Sequence, residues 1–161
     1  MTPAITRIPV HAVLDNIRSA FNVGSMFRTA DAAGIQHLHL CGMSAQPPNI
    51  KLLKTALGAH EYVPWTYYKN TVDAVRVLRA RGIPVIAVET VDHATGLFDG
   101  ALAQPCAVVF GHEVTGISPE VLALCDGAIS IPMLGYKNTV NVATAFGVVV
   151  YELLRQSRGR G

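Results

Sequence analysis

Three glycine-bearing polar segments stand out in an otherwise apolar chain of 161 residues, because their side chains could do chemistry. The first contains Asn22, Gly24 and Arg28 in one short run, the second contains Glu113, and the third contains Asn141. Side-chain amides, a carboxylate and a guanidinium can orient a polar substrate and stabilise charge that develops on it. Each segment lies where a predicted strand gives way to a loop or helix, the usual ligand-binding edge of an α/β sheet. The sequence therefore predicts one ligand site assembled from three distant segments.

Two better-known motifs almost fit these residues and fail. Residues 111–118 have the glycine spacing of a phosphate-binding loop, but Ile117 stands where that loop needs its lysine, which disfavours a nucleotide hydrolase. The same run begins with the His-Glu pair of a zinc-protease helix, but Gly116 occupies the position of the second histidine ligand. His37 and His39 share one face of a strand, yet no carboxylate or thiolate is placed by sequence to complete a metal site. We expect no metal.

Strands and helices alternate along the chain and must position these residues. Apolar runs bounded by glycine and proline predict strands at 10–14, 37–41, 62–67, 85–88, 107–110 and 128–131, and helices at 22–33, 52–57, 71–81, just after 118–120, and at about 139–156. Strands with nearly continuous apolar runs, separated by helices, are typical of a parallel sheet that is covered on both faces. The predicted fold class is α/β.

Composition limits the class of protein further. Half of the residues are apolar, only 15% are charged, and the net charge is +2, so residues 1–161 fit a single domain with one continuous core. No apolar run is long enough to span a bilayer and no signal peptide is recognisable, so we expect a cytoplasmic protein with no membrane contact. Cys41, Cys106 and Cys125 are widely spaced in apolar surroundings, and we interpret all three as core residues.

The last predicted helix is apolar around most of its circumference. Such a helix must be buried on every side, whereas a helix that covers a sheet normally shows one face to water. We therefore expect its outer face to meet a second subunit, with Gly147 allowing another backbone to approach closely. The alternative is a central core helix within one subunit.

Taken in order, the three polar segments resemble the motifs of the SpoU (TrmH-like) RNA methyltransferases of the SPOUT superfamily. Residues 22–28 read N-x-G-x-x-x-R, residues 110–118 read F-G-x-E-x-x-G-I-S, and residues 131–133 read I-P-M, followed by Asn141-Val142. The resemblance covers nearly the whole chain. It implies a C-terminal deep trefoil knot (the SPOUT fold), a homodimer, and S-adenosylmethionine bound within the knot. The implied reaction methylates a ribose 2′-hydroxyl of RNA and releases S-adenosylhomocysteine.

The resemblance also assigns residues to roles. Asn22, Arg28, Glu113 and Asn141 match the family's catalytic positions. The residues implied to contact the cofactor are Val88, Glu89, Thr90, Gly111, Ile131, Met133, Thr139 and Val140. Most of these would be backbone contacts, which suits an adenine in an apolar slot.

The roles within the catalytic set stay open at this point. The family proposal makes Arg28 the base, but a guanidinium is effectively always protonated, so we favour Arg28 as a phosphate clamp and stabiliser of the developing alkoxide. Glu113 either accepts the proton or holds Asn22 or Arg28 in place. Taken singly, Arg28 could instead form an ion pair with Asp31, Asn22 and Asn138 could be helix N-caps, and Glu113 could be a solvated loop acid.

The substrate is expected to be tRNA slightly before rRNA. The first strand begins almost at once, which leaves no room for a separate N-terminal RNA-binding domain, and a small folded RNA suits a catalytic domain that acts alone. A different class of function is a non-catalytic RNA-binding paralogue of the same fold. The combined presence of Arg28, Glu113 and Asn141 argues against it.

Overall fold

A seven-stranded parallel sheet with helices on both faces forms the structure, a computed structural model that describes residues 5–159. The strands are β1 (Ile8–Asp15), β2 (Ile35–Cys41), β3 (Trp65–Tyr68), β4 (Val85–Val88), β5 (Thr95–Gly96), β6 (Cys106–Phe110) and β7 (Gly127–Ser130). The helices are α1 (Ala20–Ala33), α2 (Ile50–Ala56), α3 (Thr71–Ala80), α4 (Pro119–Leu124) and α5 (Val142–Gly159), with a single 3₁₀ turn at Ala59–Glu61. The strand order is β3-β2-β1-β6-β4-β7-β5, and the pairs are parallel. The predicted α/β class is confirmed.

Two separate cores explain why the strands have continuous apolar runs. Neighbouring residues of β1, Val13 and Leu14, point to opposite faces, and both are fully buried. On one face, Leu14 packs under α1, α2 and α5, where Phe110 and Phe146 meet with ring centroids 5.1 Å apart. On the other face, Val13 packs under α3 and α4. Side chains on both faces of a strand are therefore removed from water.

The order of the strands places a topological switch point between β1 and β6. These strands are neighbours, and Leu14 pairs with Phe110 near their carboxyl ends. After β1 the chain turns into α1 on one face, and after β6 it turns into α4 on the other face. Loops that diverge in this way leave a cleft at the edge of the sheet, the usual binding position in such folds.

The sequence predictions miss one strand and place the starts of two other elements three residues too early. β3 begins at Trp65 rather than at residue 62, because the chain first makes the 3₁₀ turn. α5 begins at Val142 rather than at residue 139, because the Asn141 side-chain oxygen accepts the backbone N–H of Ala143 and fixes the start of the helix. The two-residue strand β5 was not predicted, since it has no apolar run. By contrast, α1 ends at Ala33, as predicted, and Gly34 follows it in the left-handed conformation.

The last helix is buried on one side only within this chain, so it is not a central core helix of one subunit, and its outer face is exposed. Phe146, Val150 and Leu153 are fully buried against the sheet, whereas Tyr151 keeps 47% of its surface exposed. A Cβ added at Gly147 would meet the Thr29 methyl group at 3.8 Å, an ordinary contact, so packing against α1 does not require a glycine there. No helix among residues 5–159 is long and apolar enough to cross a membrane.

A cluster of three histidines lies on the α3 face. His11 Nδ1 and His39 Nε2 are 3.1 Å apart, and His37 hydrogen-bonds Thr66. Burial, followed by the charges of the neighbouring histidines and Arg81, lowers the pKa of His39 to about 3, and burial with Arg81 lowers that of His11 to about 4. These imidazoles are therefore neutral at physiological pH. Within the described chain, no set of three histidine, cysteine or carboxylate side chains is placed to hold a metal ion.

The cysteines form no disulfide. Cys41 and Cys106 are buried, as predicted, and Cys125 is half-buried. Burial raises the pKa of the Cys41 thiol to about 12 and that of Cys125 to about 11, so neither is a reactive thiolate near neutral pH.

Candidate active site

A cavity of about 560 Å³ opens at the carboxyl edge of the sheet, within the size range of small-molecule sites. Its walls come from the loops after β4, β6 and β7 and from the start of α5. All eight residues that the family resemblance assigns to the cofactor line it: Val88, Glu89, Thr90, Gly111, Ile131, Met133, Thr139 and Val140. Segments that are more than 50 residues apart in the chain therefore share one cavity.

The loop after β6 is folded tightly against itself. A Cβ at Gly111 would overlap the backbone of Gly116 and Ile117, so only glycine fits there. His112 and Gly116 exchange two backbone hydrogen bonds of 2.8 and 3.1 Å, and Glu89 Oε2 accepts the Ile117 N–H at 3.0 Å. The run that resembles a phosphate-binding loop is thus a closed turn anchored to the end of β4.

Glu113 connects this turn to the start of α1. Its Oε1 accepts the backbone N–H of Arg18 at 2.7 Å, and its Oε2 accepts the N–H of Ser19 at 2.9 Å and the Asn22 side-chain amide at 3.1 Å. Burial by itself would raise the pKa of Glu113, but these hydrogen bonds outweigh it and hold the pKa below the usual value. Glu113 is therefore an ionised anchor with both oxygens engaged, rather than a freely solvated loop acid.

Asn22 and Asn141 complete this connection at the mouth of the cavity. Asn141 Nδ2 donates to Asn22 Oδ1 at 3.5 Å, the long limit of such a bond. Neither Asn22 nor Asn138 is a helix N-cap, because the side chain of Ser19 caps α1 and Asn138 lines the cavity. Three of the four predicted catalytic residues, Asn22, Glu113 and Asn141, are thus brought together.

Arg28 does not join them. It lies six residues beyond Asn22, about 9 Å further along α1, and its side chain is exposed. It lines a separate depression, which we call the Arg28 depression, formed by Ser25, Arg28, Thr29, Ala32, Lys54, Thr55, Leu57 and Tyr151. The ion pair with Asp31 that the spacing allows is not among those formed within residues 5–159. One chain alone therefore does not place the guanidinium in the cavity.

Asp15 and Gly24 also position the site, although the sequence alone indicates no role for either. The carboxylate of Asp15, only 1% exposed at the end of β1, accepts the Thr71 hydroxyl at 2.6 Å and the Ser118 N–H at 2.9 Å, so it joins β1 to the starts of α3 and α4. A Cβ at Gly24 would overlap Thr55 and the backbone of Leu52, so this glycine lets α1 and α2 touch. A lone acid at the end of an apolar strand was the available signal for Asp15.

The cavity fits S-adenosylmethionine. Val88, Ile131 and Val140 give it apolar walls for an adenine ring, and Glu89 and Thr139 add polar groups at its edge. The close turn at Gly111 exposes backbone beside them, the kind of surface that recognises a flat heterocycle.

Comparison with known proteins agrees with this geometry. The family model described as the SpoU rRNA Methylase family matches residues 9–151. A tRNA (guanosine(18)-2′-O)-methyltransferase from Thermus thermophilus is 35% identical over 144 residues, which cover 89% of this chain and 73% of the relative. A 23S rRNA (guanosine-2′-O-)-methyltransferase from Vibrio parahaemolyticus is 34% identical and matches 92% of this chain and 60% of its own length.

A solved structure agrees as well. The SpoU methyltransferase AviRb from Streptomyces viridochromogenes, in complex with the cofactor AdoMet, superimposes with a TM-score of 0.81 at 32% identity. The match covers 97% of this chain and 63% of that one. This chain thus spans about three quarters of the Thermus relative and about three fifths of the other two.

Proposed function

The chain belongs to the SpoU methylase family, and we propose that it is an S-adenosylmethionine-dependent RNA methyltransferase that modifies a ribose 2′-hydroxyl. One observation carries the proposal. Asn22, Glu113 and Asn141, from the three family motifs, meet at the mouth of a cavity that fits the methyl donor. Fold similarity alone would not support a reaction, but this arrangement of polar groups supplies the site.

The reaction sets definite tasks for this chain. The bound cofactor supplies a methyl carbon attached to a positively charged sulfur. The ribose 2′-oxygen would take this methyl carbon, the carbon–sulfur electron pair would stay on sulfur to give S-adenosylhomocysteine, and the 2′-proton would pass to solvent water. The amides of Asn22 and Asn141 are placed to orient the ribose. Glu113 already accepts three hydrogen bonds, so it serves as the anchor of Asn22 rather than as the proton acceptor.

Arg28 requires a second subunit in this proposal. Its guanidinium lies outside the cavity of its own chain, in a depression bordered by the exposed ring of Tyr151 on α5. A homodimer that pairs the α1 and α5 faces would cover Tyr151 and carry Arg28 to the partner's cavity. There it would bind a phosphate or stabilise negative charge on the 2′-oxygen, tasks that suit a permanently protonated group.

We propose further that residues 1–161 form one methyltransferase domain, that its C-terminal segment forms a deep trefoil knot, and that the protein works in the cytoplasm, where its RNA is found. A tRNA is the preferred substrate over an rRNA. This preference for tRNA is supported by the Thermus relative, which is named as a tRNA enzyme. It is slightly more similar to this chain than the Vibrio relative, which is named as an rRNA enzyme.

Methyl transfer from labelled S-adenosylmethionine to RNA from cells that lack the gene tests the function. We expect 2′-O-methylation at a defined position, mapped by resistance of the neighbouring bond to alkali. Gly111→Ala should weaken cofactor binding in calorimetry by more than about tenfold, a loss of about 1.4 kcal/mol, because its Cβ would overlap the adjacent turn. Gly100→Ala is the matched control, since nothing lies within 4 Å of its added Cβ. A wild-type protein that binds no cofactor would instead be a non-catalytic paralogue.

A further inference from the structure

A second groove adjoins the cofactor cavity and shares with it, among the residues that line the two, only Glu113. It has a volume of about 590 Å³ and lies between the starts of α1 and α2. The residues that define it are Arg18, Phe21, Asn49, Ile50, Lys51 and Glu113. Glu113 also lines the cofactor cavity, so one side chain forms the wall between the two. We call this feature the α1–α2 groove.

Apolar side chains are held open to water in the α1–α2 groove. Phe21 keeps 44% of its surface exposed and Ile50 keeps 72%. Their backbone positions are fixed, because the Thr55 hydroxyl donates to the Phe21 carbonyl oxygen at 2.7 Å and the Asn49 side chain caps the first turn of α2. An aromatic ring that faces solvent beside an active site, on a backbone held in place, is a platform for a flat ligand.

Two cations border this platform. Arg18 and Lys51 are exposed, and neither is in the ion pairs formed within the described part of the chain. The carboxylate in the groove, Glu113, is directed to the backbone N–H groups of Arg18 and Ser19 and to Asn22. Positive charge therefore stays available to an anionic ligand.

From these observations we propose that the α1–α2 groove binds an unpaired nucleotide next to the ribose that is methylated. Its base stacks on Phe21 and contacts Ile50, and Arg18 and Lys51 bind its phosphates. Aromatic platforms with flanking cations are how proteins grip single-stranded RNA, because every base has a face to stack while the phosphates are charged. A protein partner is less well matched, since the groove is small and its charged side chains other than the hydrogen-bonded Glu113 are both cationic.

Because it adjoins the cofactor cavity, the groove would also determine which RNA can be a substrate. The groove and the cofactor cavity share Glu113, so a nucleotide in the groove and a ribose at the cavity mouth are neighbours in one strand. Only RNA whose target region is unpaired, as in a loop, can fill both places. This inference rests on the proposed methyl transfer, and it adds that Phe21 selects looped RNA over a continuous duplex.

Binding of a twelve-residue uridine oligoribonucleotide tests the proposal without depending on catalysis. Phe21→Ala should weaken this binding about five- to hundredfold, whereas Phe21→Trp should restore it, and RNA should quench the indole fluorescence of that variant in a Trp65→Phe background. Lys51→Gln should reduce the dependence of log affinity on log salt by about one unit. The matched controls are Val77→Ala and Arg76→Gln, exposed positions on α3 on the other face of the sheet.

The outcomes separate this proposal from the proposed reaction. If Phe21→Ala binds the oligonucleotide as wild type does, or if the fluorescence of the Phe21→Trp variant does not respond to RNA, the groove is not an RNA site even when methylation proceeds. If Phe21→Ala shifts the sedimentation of the protein to a smaller species, a second copy of the chain occupies the groove and the proposal is wrong. If RNA binds as expected and no methyl group is transferred, the groove assignment stands and the reaction fails.

Discussion

The cofactor cavity and the Arg28 depression differ in how completely one chain builds them, although α1 lines the depression and contacts the residues of the cavity through Asn22. At the cavity, the hydrogen bonds of Glu113 and Asn141 fix loops that come from distant parts of the sequence. At the depression, Arg28 is exposed beside Tyr151, and it forms no ion pair within residues 5–159. One folded chain thus forms the cavity that we propose for the methyl donor and leaves Arg28 outside it. In the proposed homodimer, motif residues only six positions apart would belong to different halves of the assembly.

The largest expected effect comes from removing the guanidinium. Arg28→Ala should lower the turnover of methyl transfer by at least about 100-fold, since it removes a charge that stabilises the developing oxyanion. Cofactor affinity measured by calorimetry should not change, because Arg28 does not line the cavity. Lys54→Ala, in the same depression, is the matched control for a lost positive charge.

Mixing two inactive variants decides whether Arg28 works across the dimer. A heterodimer of Arg28→Ala and Gly111→Ala contains one intact site only when the guanidinium of one subunit serves the cavity of the other. Random exchange of subunits should then restore roughly a quarter of the wild-type turnover, since half of the dimers are mixed and each mixed dimer has one working site. No recovery after verified exchange would place Arg28 in its own chain's site, and the two regions would then be parts of one half.

A smaller effect is expected from the anchor of the cavity. Glu113→Gln exchanges one carboxylate oxygen for an NH2 group that cannot accept a hydrogen bond, so at least one donor among Arg18, Ser19 and Asn22 loses its partner. We expect the free energy of unfolding to fall by about 1 kcal/mol, since the carboxylate is exposed, and turnover to fall by about tenfold. A general base would behave differently, with a loss of about 10²- to 10⁴-fold and a changed pH–rate profile at unchanged stability.

The sequence predicted which residues line the cavity, but it did not predict that Arg28 lies outside it. Apolar runs revealed the strands, and the resemblance then identified eight residues that do line one cavity. Loops after parallel strands converge on one edge, so their order along the chain was enough. Arg28 was placed with Asn22 because the two are close in sequence, but six residues on a helix correspond to about 600° of rotation. A linear motif does not show on which side of a helix its members point.

The sequence also did not show how far α5 and Asp15 are buried. The apolar pattern of α5 indicated contacts on all sides, whereas the single chain supplies them on one side. Asp15 appeared as one acid among eleven, and only the fold shows that it is buried and bonded to Thr71 and Ser118. Such roles depend on which distant segments meet, and composition carries no information about that.

Lowering the pH should destabilise the fold through the histidine cluster on the α3 face, which belongs neither to the cofactor cavity nor to the Arg28 depression. His39 and His11 have pKa values of about 3 and 4 in the folded chain, against 6.5 for a free imidazole. As the pH falls below 6.5, these histidines are protonated in the unfolded chain while the buried imidazoles of the folded chain stay neutral. The free energy of unfolding therefore decreases. The decrease should become shallower below about pH 4, where His11 is protonated within the fold, and should end near pH 3, where His39 is protonated too.

Urea unfolding at pH values from about 7.5 to about 4.5 measures this loss. His39→Phe keeps a ring in the cluster but removes the group with the lowest imidazole pKa, so it should flatten the dependence on pH, and exposed His93→Gln should leave that dependence as in wild type. Glu113, whose pKa is held below its usual value, stays ionised over most of this range. Cofactor binding should therefore persist in mild acid for as long as the chain remains folded. If binding is lost above about pH 5 while His39→Phe is still folded, the cavity contains a titrating group of its own and is not the finished half of the site.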